Sequence, residues 1–404
     1  MKKIICVIFA MSIFLISCAK QENQNPNIES SNSILPNPAD QMDKTDKTDE
    51  IKEPYVKLEV KEDVSTLWAL AVDGNTALMS YKLDNTADTS NVIKYDIPSG
   101  SYETVGEVRD YTTMSDDKIV IDGCLYYVAQ LDSEPFSTLV CIDYNNNKIT
   151  YPMTFSYFPP FAFYDTLSKD SFAMFMPETC SDGSYKYHIG IYNTTTNTHK
   201  EIITEKYSSN GGVIVQDIGC GNNNIYLSCG LYENGSYTQA IREYDAGGNL
   251  LNQYIVDDLP NKLKHNEGHI NDFYLMNNLC YFKTIGSSSD YLYKFENNEF
   301  KEISLPNHKT SLSLVTQKMG VDMEKFPYAY LWDNEENNLY ILNLNSLNFS
   351  RWKFDLDEEN MGIIADKNGN ALISIYSNNH NVIPNYYYVP AKNILGNAVD
   401  VNVD

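Results

Sequence analysis

Residues 67–105, LWALAVDGNTALMSYKLDNTADTSNVIKYDIPSGSYETV, hold four apolar or alternating runs that are separated by a tight turn, a polar loop and a second tight turn. The first turn, at 73–75, contains Asp-Gly, and the second, at 98–100, contains Pro and Gly. Residues of these types favour β-turns, and Asp-Gly accepts positive φ at little cost, which suits hairpins. The stretch therefore predicts a sheet of four antiparallel strands.

The same unit recurs along the chain. Seven strand-ending residues lie 47, 50, 52, 51, 47 and 46 positions apart, namely Tyr95, Ile142, Tyr192, Tyr244, Phe295, Leu342 and Tyr388. The next residue is Asp, Asn or Glu in six of the seven cases, and only Val389 departs. A period of this length that is built from strands alone is typical of a β-propeller or a β-solenoid. We therefore predict an all-β, seven-bladed β-propeller of four-stranded blades, with six or eight blades as the alternatives.

Residues 55–60 precede the first unit and alternate between apolar and polar side chains. We predict that they pair with the last blade and close the ring, since this pairing removes an exposed sheet edge. The units resemble those of WD40-like and TolB-like propellers in pattern and length, but they lack the Gly-His and Trp-Asp signature of WD40 repeats. That resemblance implies an architecture without a particular function, because propellers host many unrelated activities.

The first eighteen residues indicate export and anchoring. Two lysines precede an apolar run, residues 4–16, that is too short to span a bilayer and is typical of a signal peptide. The run ends in Leu-Ile-Ser-Cys at 15–18, which resembles the lipobox of bacterial lipoproteins, whose cysteine receives a diacylglycerol thioether. The resemblance implies a signal peptide over 1–17 and an acylated Cys18. The protein would then be anchored to the membrane by lipid and face outward in the bacterial cell envelope.

Residues 18–54 are rich in Asn, Gln, Ser, Pro, Asp and Lys. Their apolar content is too low to offset the entropy of ordering, so we predict a disordered, flexible tether. The propeller domain is then predicted over 55–404, held at a distance from the membrane surface.

The chain carries a formal net charge of −24. A protein this acidic is repelled by nucleic acid and by anionic lipid, so we expect a monomer without a nucleic-acid partner. Six cysteines follow Cys18, which permits three disulfides. Four of them lie within apolar strand runs, so buried thiols are the favoured interpretation: Cys124, Cys141, Cys229 and Cys280.

The loops between the two middle strands of the predicted blades are longer and acidic. In a four-stranded blade these loops emerge on one rim, and the tight turns emerge on the other. We predict that the loop rim binds a cation or a basic or polyhydroxy ligand, because loops on a rigid scaffold often carry binding residues. A merely solvated surface is the alternative. The candidate residues are Asp84, Asp88, Asp132, Glu134, Glu178, Asp182, Asp333, Glu335 and Glu336.

Catalytic motifs are absent from the sequence. There is no Gly-x-Ser-x-Gly elbow and no Walker or dinucleotide-binding loop. His265 and His269 lack the His-Glu-x-x-His order of metalloproteases. We therefore predict no metal and no cofactor. Trp68, Trp332 and Trp352 could stack on sugars, but their strand-like surroundings favour core packing.

From these observations we expect a non-enzymatic binding module for a protein, a peptide or a glycan. One alternative is a propeller enzyme, a metal-assisted lyase or hydrolase that resembles the seven-bladed antibiotic-inactivating lyases. That resemblance implies a loop histidine, here His265 or His269, acting with carboxylates and a divalent cation. A second alternative is a structural docking subunit of an envelope complex.

Overall fold

The computed structural model of this chain describes residues 54–401, with gaps inside that range. The predicted signal peptide, Cys18 and all but the last residue of the tether lie outside the described residues, so their prediction stays open. The gaps are at 62, 85–87, 110, 115–117, 132–135, 156–162, 209, 234–235, 256–269, 277–278, 285–290, 297–298, 307–311, 316–325, 334–335, 337, 355–359 and 377–382.

Four-stranded antiparallel units make up most of the described chain, after an initial strand β1 (Val56–Leu58). Unit 1 contains β2 (Thr66–Asp73), β3 (Thr76–Lys82), β4 (Thr89–Asp96) and β5 (Ser101–Arg109). Unit 2 contains β6 (Tyr111–Met114), the short β7 (Ile119–Ile121), β8 (Cys124–Leu131), β9 (Ser137–Asp143) and β10 (Lys148–Thr154). Unit 3 contains β11 (Phe163–Ser168), β12 (Ser171–Thr179), β13 (Tyr185–Asn193) and β14 (Thr198–Ser208).

The second half of the chain continues the pattern. Unit 4 contains β15 (Gly211–Gly221), β16 (Asn224–Glu233), β17 (Ser236–Tyr244) and β18 (Leu250–Ile255). Unit 5 contains β19 (Ile270–Met276), β20 (Leu279–Thr284), β21 (Tyr291–Glu296) and β22 (Glu299–Ile303). Unit 6 contains β23 (Leu312–Val315), β24 (Tyr328–Asp333), β25 (Asn338–Asn343) and β26 (Phe349–Lys353). Unit 7 contains β27 (Asn360–Ala365), β28 (Ala371–Tyr376) and β29 (Asn385–Val389), followed by α1 (Ala391–Asn397) and β30 (Val399–Val401).

The sequence repeat coincides with the third strand of each unit. Every predicted strand-end residue, from Tyr95 in β4 to Tyr388 in β29, is the last or next-to-last residue of such a strand. The polar residue that follows has a physical role, because its side chain accepts backbone N–H groups two to four residues further on. Asp143 accepts from Asn145 N at 3.1 Å, Asp245 from Gly247 N at 2.9 Å and Asn343 from Asn345 N at 2.9 Å. Such turns fold the third strand back onto the fourth.

The first described strand completes the last unit, as the sequence predicts. Val56, Lys57 and Leu58 of β1 pair with Tyr388, Tyr387 and Tyr386 of β29, which gives the strand order β1-β29-β28-β27. This pairing covers the edge of β29 with the first described strand of the domain. The C-terminal strand β30 does the same for unit 6 by pairing with β26, an addition that the sequence did not indicate.

The core lies between neighbouring units. One buried cluster joins Phe172, Met174 and Tyr192 of unit 3 to Tyr126 and Leu139 of unit 2, and similar clusters join units 3 and 4 and units 6 and 7. Face-to-face burial of sheets is what the predicted propeller requires. The all-β, four-stranded architecture is thus confirmed, and the number of blades in a closed ring stays a prediction.

The predictions for the cysteines and for the tryptophans can be compared with the structure. Cys141 and Cys229 are buried thiols, as predicted, and so is Cys220, whereas Cys124 and Cys180 are only half-buried thiols, so the predicted burial is wrong for Cys124. The side chain of Cys280 lies outside the described residues. Trp332 and Trp352 are buried, but Trp68 is 41% exposed, so the expected core packing is wrong for this one tryptophan.

Candidate functional site

The tight turns of adjacent units meet at one end of the domain. Gly74 N donates to Asp366 Oδ2 at 2.7 Å, and Tyr144 OH donates to Asp73 Oδ2 at 2.6 Å, which links turns of units 7, 1 and 2. Because the strands are antiparallel, the connections between second and third strands leave from the opposite end. We call this opposite end, formed by the β3–β4, β8–β9, β12–β13, β24–β25 and β28–β29 connections, the loop end.

The described candidate residues lie at the loop end, in different environments. Asp84 and Asp88 are exposed between β3 and β4, and Asp182 is exposed before β13. Glu178 is half-buried within β12 instead of in a loop. Asp333 also lies in a strand, β24, and is only 2% exposed, so its predicted place on an accessible rim does not agree with the structure.

Three candidates cannot be placed. Asp132, Glu134 and Glu335 lie outside the described residues, as do His265 and His269 of the enzyme alternative. Glu336 is described and exposed, and its backbone N–H donates to Asp333 Oδ1 at 3.3 Å.

One candidate, Glu178, belongs to a cluster of ionisable groups that the sequence analysis missed. His188 of β13 contacts Glu178 Oε2 through Nε2 at 2.9 Å and Glu201 Oε2 of β14 through Nδ1 at 2.7 Å. The three strands are hydrogen-bonded neighbours, which brings residues that are 10 and 13 positions apart into contact. The available signal in β13 was a second ionisable residue, Lys186, on the same strand face as His188.

The two carboxylates hold the imidazole in one orientation. An ionised carboxylate only accepts hydrogen bonds, so a ring nitrogen that contacts one donates the bond. Burial alone would raise the pKa of the Glu201 carboxyl, but hydrogen bonds from Thr204 and His188 outweigh burial and hold that pKa below its usual value. Glu201 is therefore an anion at neutral pH, and its Oε2 lies 2.7 Å from Nδ1 of His188.

The cluster can exchange protons with a ligand through its carboxylates. The His188 side chain is 5% exposed, whereas the side chains of Glu178 and Glu201 are 30% and 43% exposed. Lys186 Nζ adds a positive charge 3.8 Å from Glu178 Oε2. A shielded imidazole behind a solvent-reaching carboxylate is suited to general acid–base chemistry. In the described part of the chain, no group of three or more His, Cys, Asp or Glu residues has a metal-binding arrangement.

Exposed aromatic rings occur at the same end of the domain. Trp68 lies early in β2, Phe136 precedes β9, Tyr185 begins β13 and Tyr376 ends β28, with exposures of 41%, 43%, 41% and 44%. These strand positions all belong to the loop end. Rings that combine an apolar face with solvent contact are common at ligand interfaces.

Unit 4 contains a carboxylate in a contrasting environment. Glu243 of β17 is 7% exposed and accepts four hydrogen bonds. The donors are Asn224 Nδ2 at 2.7 Å, Tyr226 OH at 2.9 Å, Asn252 Nδ2 at 2.7 Å and Tyr254 OH at 2.9 Å. Burial alone would raise the pKa of Glu243, yet these donors together lower it. The network therefore fixes an anion among three strands.

No family model and no curated protein matches this chain. Solved structures do resemble it. An oligogalacturonate lyase from Vibrio parahaemolyticus is similar with a TM-score of 0.50 and 10% identity, over 83% of this chain and 90% of that one. The β-propeller domain of the Trilobed protease from Pyrococcus furiosus gives 0.40 and 13%, over 72% and 81%. TolB from Acinetobacter baumannii gives 0.39 and 15%, over 76% and 77%.

These similarities concern the fold. Solved structures similar to this chain include a β-propeller domain and a TolB protein. In the described residues, α1 is far too short to cross a bilayer, and no other helix is suited to do so.

The prediction that the protein is not an enzyme is wrong. It rested on the absence of a catalytic motif, but an oligogalacturonate lyase shares this architecture at only 10% identity. Catalytic residues on such a scaffold are brought together by the fold from separate strands, so no short motif needs to mark them.

Proposed function

We propose that this protein is an extracytoplasmic β-propeller enzyme that performs acid–base chemistry, of the lyase or hydrolase type, on a neutral or basic polyhydroxy ligand such as a glycan. Glu178 is the proton-transferring group, and His188 and Glu201 are positioning residues that set its charge. The observation that carries the proposal is the Glu178–His188–Glu201 cluster at the loop end.

The ligand class follows from charge and from the exposed rings. A net charge of −24 repels polyanions, so a neutral or basic substrate fits this chain better than the galacturonate chains in the name of the similar lyase. Flat aromatic faces at Trp68 and Tyr185, both exposed at the loop end, are suited to sugar rings with their apolar faces and hydroxyl edges.

A panel of oligosaccharides tests the proposal. The purified protein is incubated with neutral, amino-sugar and uronic-acid oligosaccharides, while unsaturated products report elimination and new reducing ends report hydrolysis. We expect a neutral or basic member to be consumed, and we expect Glu178→Gln to reduce the rate about 10²- to 10⁴-fold. Asp245→Asn is the matched control, since Asp245 lies in the tight turn after β17, at the end opposite the loop end, where it accepts from Gly247 N at 2.9 Å. Turnover of uronic acids alone, no turnover, or a fully active Glu178→Gln variant would contradict the proposal.

The cellular location of the protein and the closed ring of seven blades are parts of the same proposal. We propose that Cys18 carries the lipid, that the monomeric domain faces outward in the cell envelope, and that the seven units are the blades of one ring. The signal-like residues 4–16 support the anchor, and the pairing of β1 with β29 supports the ring. Cys18→Ser should move the protein from the detergent phase to the aqueous phase on Triton X-114 partitioning. Retention of the variant in the detergent phase would refute lipid attachment at this cysteine.

A further inference from the structure

Two cysteines of unit 2 are neighbours on the same face of adjacent strands. Cys124 begins β8 and pairs with Asp143, while Cys141 of β9 pairs with Tyr126. The two cysteines are therefore diagonal partners, two positions apart in register, and both belong to the cluster that packs against unit 3. Among the described cysteines no other two have this relation: Cys220 pairs with Ile225 and Cys229 with Val215, and Cys180 lies in a loop.

The surroundings of the two thiols give them different pKa values. Hydrogen bonding to Cys124 lowers the pKa of the Cys141 thiol to about 7, against the opposing effect of burial, and Tyr126 and Thr150 add to the lowering. Thr150 stands directly opposite Cys141 on β10. The pKa of Cys124 is raised, mainly because its proton is shared with Cys141 and also because of burial. Cys141 thus forms the thiolate, and Cys124 retains a proton.

Access and neighbouring charges complete the description. Cys141 is 8% exposed, and Cys124 is half-exposed where β8 leaves the Asp122–Gly123 turn. Asp143, whose negative charge opposes the thiolates, and Tyr126 are the ionisable groups that influence the thiols. Tyr192 of unit 3 and Tyr144 lie near enough for the thiols to contribute to the raised pKa of each phenol. Tyr126 and Tyr192 have rings 5.9 Å apart, so the pair lies at the interface of units 2 and 3.

We propose that Cys124 and Cys141 form a redox-active dithiol that closes reversibly to a cross-strand disulfide by exchange with an external disulfide. The Cys141 thiolate attacks one sulfur of the external disulfide, forms a mixed disulfide and releases one thiolate. Cys124 then loses its proton to solvent and attacks Cys141 Sγ, which releases the second thiolate. Two thiols are oxidised to one disulfide, and the external disulfide is reduced to two thiols.

The product links two strands at the face that binds unit 3. Diagonal neighbours across an antiparallel pair are further apart than directly opposite residues, so closure requires a small shift of β8 against β9. We expect the bond to open again with a mild thiol reductant, since a disulfide that shifts its strands is more easily reduced than an unstrained one.

Cystamine is the probe that tests this proposal, with the reduced, purified wild-type chain in its native state. We expect a peptide pair cross-linked through Cys124 and Cys141, the loss of both from alkylation by iodoacetamide, and reversal by dithiothreitol. The Cys180→Ser control should behave as the wild type does. Cys124→Ser should stop at a single cysteamine adduct on Cys141, because the resolving thiol is gone.

Three outcomes would overturn the proposal, and none of them needs a variant. In the wild type, both cysteines could remain open to iodoacetamide after cystamine treatment, or both could carry separate cysteamine adducts without a cross-link. A cross-link to Cys180 in place of this pair would also refute it. Because the cross-linked peptide is measured in the native wild type, a variant that fails to fold does not affect the conclusion.

Discussion

Units 3 and 4 each hold a carboxylate network that joins three neighbouring strands, but the two networks differ in what remains available to a ligand. In unit 4, Glu243 is 7% exposed and both of its oxygens are occupied by two donors each. In unit 3, one imidazole is shared between Glu178 and Glu201, Thr204 Oγ1 also donates to Glu201 Oε1 at 2.6 Å, and both carboxylates reach solvent. The same fold thus places one network inside the structure and the other at its surface.

The difference separates structural carboxylates from reactive ones. A carboxylate with its lone pairs satisfied by neutral donors is stabilised as an anion and has no proton to exchange. A carboxylate that contacts an imidazole and also reaches solvent can exchange a proton with a ligand. We therefore expect substitutions in the unit 3 network to reduce activity and substitutions in the unit 4 network to reduce stability.

The largest expected effect is on turnover. His188→Gln removes the proton donor that both carboxylates share, so kcat on the substrate identified by the oligosaccharide panel should fall about 10²-fold, with an altered pH–rate profile. Glu243→Gln is the matched change in unit 4 and should leave kcat per folded molecule unchanged. Steady-state kinetics between pH 5 and 9 make the comparison. Equal losses in the two variants would remove the distinction between the networks.

The tryptophans extend the same contrast to apolar side chains. Trp352 is 7% exposed and its ring lies 4.2 Å from that of Phe354, so Trp352→Ala should reduce the free energy of unfolding by about 3–5 kcal/mol. Trp68 is 41% exposed, and Trp68→Ala should cost about 1 kcal/mol while weakening ligand binding. Urea unfolding and ligand titration measure the two quantities. A large stability loss for Trp68→Ala would assign it to the core.

Stability should also distinguish the two glutamates. Glu243→Ala leaves four donors without their acceptor, and we expect a loss of about 2–4 kcal/mol in the free energy of unfolding. Glu178→Ala should lose about 1 kcal/mol, since His188 keeps its bond to Glu201 at 2.7 Å. Urea denaturation of both variants provides the test. If Glu178→Ala proved the more destabilising, the unit 3 cluster would be a structural one.

The smallest expected effect is a pH dependence from His199, which lies on β14 near the cluster. Burial lowers the pKa of this imidazole in the folded state. Its stabilising contribution is therefore present above the unfolded-state pKa of about 6.5 and is lost as pH falls below that value. One such proton accounts for at most about 1.4 kcal/mol per pH unit. The melting temperature from pH 7.5 to 5 should fall less in His199→Phe than in the wild type. An identical slope would contradict this assignment.

Local chemistry explains why the repeat was visible in the sequence. A tight turn after each third strand needs a side chain that accepts nearby backbone N–H groups, so Asp or Asn recurs at that position, as with Asp143 and Asn343. The pairing of β1 with β29 could also be predicted, because an alternating segment left over before the first unit has one sheet edge available to it. Both features depend on short segments.

Other features depend on register, which the sequence does not display. In units 1 to 5, the pairing register between the first strand and its partner changes by one residue part-way along the strand. In unit 4 this change lies between Val215 and Asp217. Such bulges increase the twist of a sheet, but they have no characteristic amino-acid composition. Likewise, Asp333 has the composition of a loop residue but lies buried in β24, where pairing with Asn338 extends the strand.

The sequence by itself determined the antiparallel four-stranded unit, its period and the closing strand, because turn chemistry and alternation act over a few residues. Only the tertiary structure decided which polar side chains converge. Glu178, His188 and Glu201 come from three strands, and a displacement of one residue in any of them would turn its side chain to the other face of the sheet. Long-range packing sets that register, so the candidate site could be recognised only after the strands were aligned.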